Sequence, residues 1–417
     1  MLATILAGQD IEPRVRSAAE RAVGFLEQTD APRVRVKMRV IAAFLAEGVD
    51  ESDLAGSTGY GYDDPTRERY ESLLARYFRA EKVLARLSIV SGTHAIVASL
   101  DALTGPGQTL LCANGGPYDT LAYAIAEAPY SLVSRGIGYV EVPRTAGGET
   151  DLAALTDAVR AHRPAVVFVQ RSRGYAARRS LSIDDIAGIV ECVRAAGSAA
   201  PIVVDNCYGE LVEDREPLEA GADLAIGSLI KNIGGGIAPA GAYVAGRGDL
   251  VDRIATRIFA PGIGAGLGPT LGAGRAFIQG FFYAPLVVGE TLRGLNFAAA
   301  LFANLGFSVD PIAGAARTDI VQSIRLGTRA KLIAFARGLQ GALPINARFI
   351  PQPGPVPGYV DPVIMSSGSF VSGATIELSC DAPLRAPYEV YLQGGITAEH
   401  TALGAAVAAT EVMRTEE

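Results

Sequence analysis

The chain has 417 residues, about half of them hydrophobic and 19% charged, enough for a large buried core and two domains of a soluble enzyme. Its net charge of −7 comes from interspersed acids and bases, so no basic face for nucleic acid stands out. Four cysteines (Cys112, Cys192, Cys207, Cys380) lie far apart without a CxxC pair, which argues against a zinc or other metal site and against a disulfide framework, and suits a reducing cytoplasm.

The N-terminal "MLATILAGQDIEP" has no cationic region and only a brief apolar run, so no signal peptide is expected. Residues 10–47 read as helices rich in Arg and Ala, with Pro13 and Pro32 near their starts. The stretch "AGSTGYGYDDPTR" (55–67) is dense in Gly, Asp and Pro and reads as irregular. From about 66 to 280 short runs rich in β-branched residues alternate with helical patterns. The runs are "TLLCAN" (109–114), "GYVEVP" (138–143), "AVVFVQ" (165–170), "PIVVDN" (201–206), "ADLAIGSL" (222–229) and "GAYVAG" (241–246). Residues 151–162 and 183–196 are examples of the helices between them. Apolar strands without alternation, set between amphipathic helices, imply an α/β fold with a mainly parallel sheet sandwiched by helices.

Residues 223–246 are long enough to span a membrane, but Lys231 near the centre, several glycines and Pro239 point instead to a buried strand–loop–strand. After about 290 the rhythm changes to the helix-rich "ETLRGLNFAAALFANLGF". Short strands are then predicted around "ARFIPQ", "PVIMSS" and "TIELSC", giving a small α+β C-terminal domain in which "PQPGPVPGYVDP" (351–362) is a loop. The expected organisation is residues 1–65 as an N-terminal helical segment and loop, 66–290 as the large domain and 291–417 as the small one.

Familiar nucleotide and hydrolase signatures are missing: no GxxxxGK[ST], no GxGxxG after the first strand, no HExxH and no GxSxG. Open α/β sheets place ligands beyond the carboxyl ends of their strands, and three stretches with chemistry fall there. In "IVSGTHAIVASLDAL" (89–103) a strand-like entry leads through Ser91, Gly92 and Thr93 into an apolar helix, a site for an anion or simply an N-cap. Asp205 ends the strand "PIVVDN", where a carboxylate is costly unless a cation meets it; a turn or cap role is the other reading. Lys231 follows the next strand, where desolvation would depress its pKa and favour imine formation, unless it snorkels to solvent. An anion cradle, a buried acid and a buried amine are the three parts a pyridoxal 5′-phosphate enzyme needs. The glycines Gly234, Gly235 and Gly236 would let the backbone bend beside that planar group.

Several blocks in order carry a closer likeness: "GYGYDD" (59–64), "IVSGTHAI" (89–96), "GGPYDTL" (115–121), "QRSRGY" (170–175), "VVDNCYGE" (203–210), "GSLIKNIGGGIAP" (227–239) and "YLQGGIT" (391–397). With them the chain resembles fold-type I pyridoxal phosphate enzymes, and within these the methionine γ-lyase-like group of aluminium-resistance proteins, related to cystathionine lyases. The resemblance implies that Lys231 binds the cofactor covalently and that Asp205 partners its ring nitrogen. It implies that Ser91, Gly92, Thr93 and Ser228 hold the phosphate and that Tyr118 stacks on the ring, although a core tyrosine would read the same way. It further implies that Tyr60, Tyr62 and Arg67 lie in a loop reaching the site of a neighbouring subunit, in a homodimer or homotetramer with shared active sites, where Tyr62 and Arg67 meet the cofactor, Arg67 at its phosphate. Arg385 and Arg173 compete as the clamp on the substrate carboxylate, and His94 stays in the first turn of the phosphate helix. Ile230 and Ile233 stand where the lyases usually have threonine and proline, which puts substrate identity in doubt.

The implied activity is elimination or γ-replacement on a methionine- or cysteine-like amino acid, through a vinylglycine-type intermediate, with Lys231 as the general base. Other readings are a biosynthetic enzyme using an activated γ-leaving group such as that of S-adenosylmethionine for carbon–carbon bond formation, an aminotransferase, and a non-catalytic protein of the same fold.

Overall fold

The computed structural model describes residues 1–27, 31–176 and 178–415. The alternating region forms seven strands: β1 (Lys82–Arg86), β2 (Thr109–Cys112), β3 (Gly138–Glu141), β4 (Val166–Gln170), β5 (Ile202–Asp205), β6 (Leu224–Ser228) and β7 (Ala242–Gly246). They lie in the order β1-β7-β6-β5-β4-β2-β3. Only β7 runs against its neighbours β6 and β1; the pairs among β2 to β6 are parallel.

Side chains of a strand alternate between faces, and each face here meets helices. Leu110, Phe168, Val203, Ile226 and Val244 pack with Leu100 and Ile254 of helices Gly92–Leu103 and Gly248–Ile258. Leu111, Val167, Val169 and Val204 pack with Val159 and Ile186 of helices Leu152–His162 and Ile183–Ala195. Both faces are therefore covered, which explains why β4 to β7 are apolar without a gap. Residues 223–246 are a strand, a turn and a returning strand, with Ser228 opposite Ala242. One strand escaped the sequence reading. In β1, Lys82 and Arg86 flank a short apolar centre, and the strand-like entry expected before Ser91 is a turn beyond Arg86.

A second, wholly antiparallel sheet holds β8 (Ser308–Asp310), β9 (Val321–Arg325), β10 (Val363–Ser367), β11 (Ser379–Pro383) and β12 (Glu389–Gln393), in the order β10-β11-β12-β9-β8. Helices Arg329–Gly341 and Ala398–Arg414 join its core. Here two sequence expectations are corrected. "ARFIPQ" forms no strand, and its Phe349 and Ile350 are exposed; "TIELSC" supplies only Ser379 and Cys380 to β11. Short apolar runs gave a strand signal where the chain makes turns, while β8, β9 and β12 carried too many polar residues to be read.

Helix Gly274–Asn304 is 31 residues long and passes straight through the change of rhythm at 290. Its apolar residues continue on nearly every side, so the sequence shows no helix end there. Among the described residues it alone is long and apolar enough to cross a membrane, and 78% of its apolar window is buried inside the protein.

Candidate functional site

The carboxyl ends of β4, β5 and β6 meet the start of helix Gly92–Leu103 around a cavity of about 320 Å³. Ser91, Gly92, Thr93, Tyr118, Asp205, Ser228 and Lys231 all line it. Ser91 is an N-cap. Its Oγ accepts the His94 N–H at 3.0 Å, and the remaining N–H groups of the first turn stay available for an anion. A Cβ on Gly92 would stand 3.3 Å from Cys207 Sγ and 3.6 Å from Ser228 Cβ, so any larger residue would narrow this cradle. His94 keeps to the first turn, its Nδ1 accepting from the Val90 N–H at 3.3 Å.

Tyr118 is fixed at both ends. Its N–H donates to Gln170 Oε1 at 2.8 Å, and its hydroxyl lies 2.7 Å from Thr93 Oγ1. Burial first of all raises its pKa, so it is a neutral phenol. Asp205 is buried and accepts the Cys207 N–H at 3.1 Å. Burial pushes its carboxyl up, and the charge of Lys231 pulls it back only in part.

Lys231 sits three residues beyond β6, with Nζ 3.9 Å from the centre of the Tyr208 ring. Asn232 ties this turn to its neighbour by donating to Tyr208 O at 3.0 Å and Glu210 O at 2.8 Å. Tyr208 adopts φ +73°, a left-handed conformation that is strained for a bulky residue. The lowered lysine pKa expected from sequence is corrected. Burial opposes the charged amine, but the acidic groups around it, Asp205 among them, act the other way, and its pKa is raised. The role given to the three glycines changes too. Gly235 has φ +54°, and a Cβ on it would lie 2.5 Å from Gly280 O, so it serves the close approach of helix Gly274–Asn304 and does not line the cavity.

The opposite wall comes from the second sheet and loop 351–362. It contains Tyr359, Met365 and Asp381, with Tyr175 between. The Asp381 carboxylate accepts from the Gln393 amide, and the Tyr175 hydroxyl acts to lower its pKa. Burial raises its pKa, and these two groups with the charge of Lys231 act the other way. The Tyr175 ring lies 6.0 Å from that of Tyr359 and 5.7 Å from that of Tyr391.

With this geometry in place, residues 11–413 match the methionine gamma-lyase family. The chain belongs to that family. It is 40% identical over 404 residues to the uncharacterized protein YnbB of Bacillus subtilis (strain 168), covering 96% of each chain. A carbon-sulfur lyase involved in aluminum resistance from Clostridium novyi NT superposes with a TM-score of 0.92 at 38% identity, covering 98% of each chain. The pyridoxal-5′-phosphate dependent protein YhfS of Escherichia coli shares the fold, with a TM-score of 0.60 at 19% identity over 92% of this chain and 96% of that one. The architecture is fold-type I.

Not every residue expected from the family likeness reaches the cavity. Arg67 is buried and donates to Gly61 O at 2.5 Å and Gly268 O at 3.2 Å, so within this chain it braces the loop that displays Tyr60 and Tyr62 instead of facing the cradle. Those two tyrosines are 72% and 66% exposed and lie outside the cavity of their own chain. Arg173 is committed to Asp310 at 2.6 Å, and Arg385 stands behind Tyr175, donating to its carbonyl at 2.9 Å. Neither lines the cavity, because each guanidinium already has partners outside it. Sequence reasoning missed Gln170, Cys207 and Tyr208, although the blocks "QRSRGY" and "VVDNCYGE" contained them. It also missed Tyr175, Tyr359 and Asp381; the last two lie on a loop and an antiparallel strand with no local signature.

Proposed function

We propose that this member of the methionine gamma-lyase family is a pyridoxal 5′-phosphate enzyme that eliminates or replaces the γ-substituent of a methionine- or cysteine-like amino acid. One observation carries the reading: a helix-start cradle that a single Cβ would narrow, a buried carboxylate and a half-buried amine open into the same cavity. When bound, the cofactor supplies an electron sink for carbanions at the substrate.

The protein's residues supply the rest. The first-turn N–H groups at Gly92 and Thr93, with Ser91 and Ser228, would hold the phosphate, and the Tyr118 ring, fixed by Gln170 and Thr93, would pack against the cofactor. Asp205 offsets a protonated ring nitrogen, which gives this buried carboxylate the cation it otherwise lacks at full strength. Lys231 binds the aldehyde carbon. Because its neighbours hold it charged, its Nζ has to shed a proton before it forms a bond. With substrate in place, the same Nζ would take and return protons at the α-carbon, steered by the Tyr208 ring 3.9 Å from it. Tyr60 and Tyr62 complete the cavity of a second copy, in a homodimer or homotetramer, with Arg67 bracing their loop.

Borohydride reduction of the purified holoenzyme followed by peptide mapping tests this. The expected result is a pyridoxyl mass on the peptide carrying Lys231. A label on another lysine, or a wild-type protein that takes up no cofactor, overturns the reading.

A further inference from the structure

We propose that the cavity selects an amino acid whose side chain ends in a second positive charge, held by the Asp381 carboxylate beside the rings of Tyr175 and Tyr359. The inference rests on the cofactor reading above and names the class of substrate that site takes.

Charge decides first. Among the described residues lining the cavity, Lys231 is the only cationic side chain, whereas Asp205 and Asp381 are both carboxylates. Asp381 receives a neutral donor, the Gln393 amide, with the neutral Tyr175 hydroxyl near it, and the charge of Lys231 acts on it favourably. If Lys231 is engaged with the cofactor and Asp205 with the ring nitrogen, Asp381 is left facing the substrate without a counter-charge. A partly buried carboxylate in that position is costly unless the ligand brings a cation.

Shape and chemistry narrow the cation. Tyr175 and Tyr359 lie 6.0 Å apart with their planes 35° from each other, and ring faces attract cations. Met365, Val356 and Val363 add apolar surface alongside. One of the hydrogen bonds Asp381 can accept is already taken by Gln393, and the Tyr175 hydroxyl stands near it. A soft cation clothed in methyl groups, a sulfonium or a quaternary ammonium, asks for little more hydrogen bonding and fits such a wall. An arginine-like side chain would leave its donors unpaired there. The same wall carries no arginine to favour a second carboxylate, so an acidic side chain is disfavoured.

S-methylmethionine and methionine differ by one methyl group and one charge, which makes them a direct probe. Calorimetric titration of the holoenzyme is expected to give a Kd at least about tenfold lower for S-methylmethionine, the size of one charge-assisted contact. Asp381→Asn brings the ratio of the two constants towards one, and Asp381→Glu restores part of it. Should Asp381→Asn fail to fold, Tyr359→Leu on loop 351–362 provides the second measurement and lowers the ratio severalfold. Equal or tighter binding of methionine by the wild-type holoenzyme overturns the inference, as does a ratio that survives in both variants. A wild-type protein without bound cofactor would instead sink the reading on which the inference rests.

Discussion

The ends of β4, β5 and β6 make one wall of the cavity, and β11 with loop 351–362 makes the other; the two are built by different rules. On the first wall Asp205 and Ser228 are each 4% exposed, and Asn232 laces the Lys231 turn to the Tyr208 turn. Backbone geometry there includes a strained Tyr208, which only a rigid surrounding holds in place. On the second wall Met365 is 47% exposed and Tyr359 sits on a loop rich in Pro and Gly. The difference points to a division of labour: one wall fixes the groups that react, and the other decides which side chain is admitted.

Breaking the first wall has the largest expected effect. Lys231→Ala removes the covalent anchor and the proton carrier together, so kcat should fall on the order of 10⁴-fold, the upper range for one positioned acid–base group. Steady-state rates with the far-ultraviolet circular dichroism of the variant as a control check it. A loss below about tenfold would mean that the α-proton moves through another group.

How much of each wall was legible follows from the same contrast. Asp205 was readable because a parallel strand announces its end: an apolar run stops, and the polar residue that stops it stands at the ligand edge; Lys231 lies three residues past the similar end of β6, while Ser91 was found although the run before it is a turn. Asp381 was not. It lies inside an antiparallel strand that the sequence placed three to four residues too early, and its meaning comes from Tyr175, more than 200 residues away in the chain. Gly235 after Lys231 was noticed but misread, since the partner that needs it, the Gly280 carbonyl, belongs to a helix that no local pattern connects with it. Arg385 and Arg173 looked like carboxylate clamps because only the fold reveals that Asp310 and the Tyr175 carbonyl already occupy them.

A carboxyl group hidden behind the first wall sharpens the contrast. Glu210 is fully buried and accepts the Tyr243 hydroxyl at 3.0 Å, while its second oxygen has no hydrogen-bond partner. Burial above all, with Glu216 adding to it and Lys231 opposing, pushes its pKa up to about 8 from an ordinary 4.5. The folded chain thus keeps a proton that the unfolded chain releases. The associated stability is fully present below 4.5 and is lost as the pH rises through about 8. Glu210→Gln mimics the protonated form. Over this range the unfolding free energy of the wild type, from denaturant titrations, should therefore fall by a few kcal/mol more than that of the variant, since each tenfold change in proton affinity is worth about 1.4 kcal/mol. Parallel pH profiles would locate the proton on a different group.

The smallest effect is expected at Arg385, and it bears directly on what the second wall recognises. An arginine gripping the substrate carboxylate would make charge-assisted bonds worth about 1.5–3 kcal/mol, and its loss would raise KM by about ten- to a hundredfold. Arg385 instead lies outside the cavity, at 3.6 Å from Asp119 and 3.9 Å from Asp361, with its side chain 38% exposed. Such half-exposed pairs contribute under about 1 kcal/mol. Arg385→Ala should therefore raise KM less than about fivefold and leave kcat within a similar factor, the small change reflecting a looser Tyr175 whose carbonyl it holds. A rise in KM of about a hundredfold or more would move Arg385 into the substrate's grasp and give the second wall a positive charge, reversing the selectivity argued for Asp381.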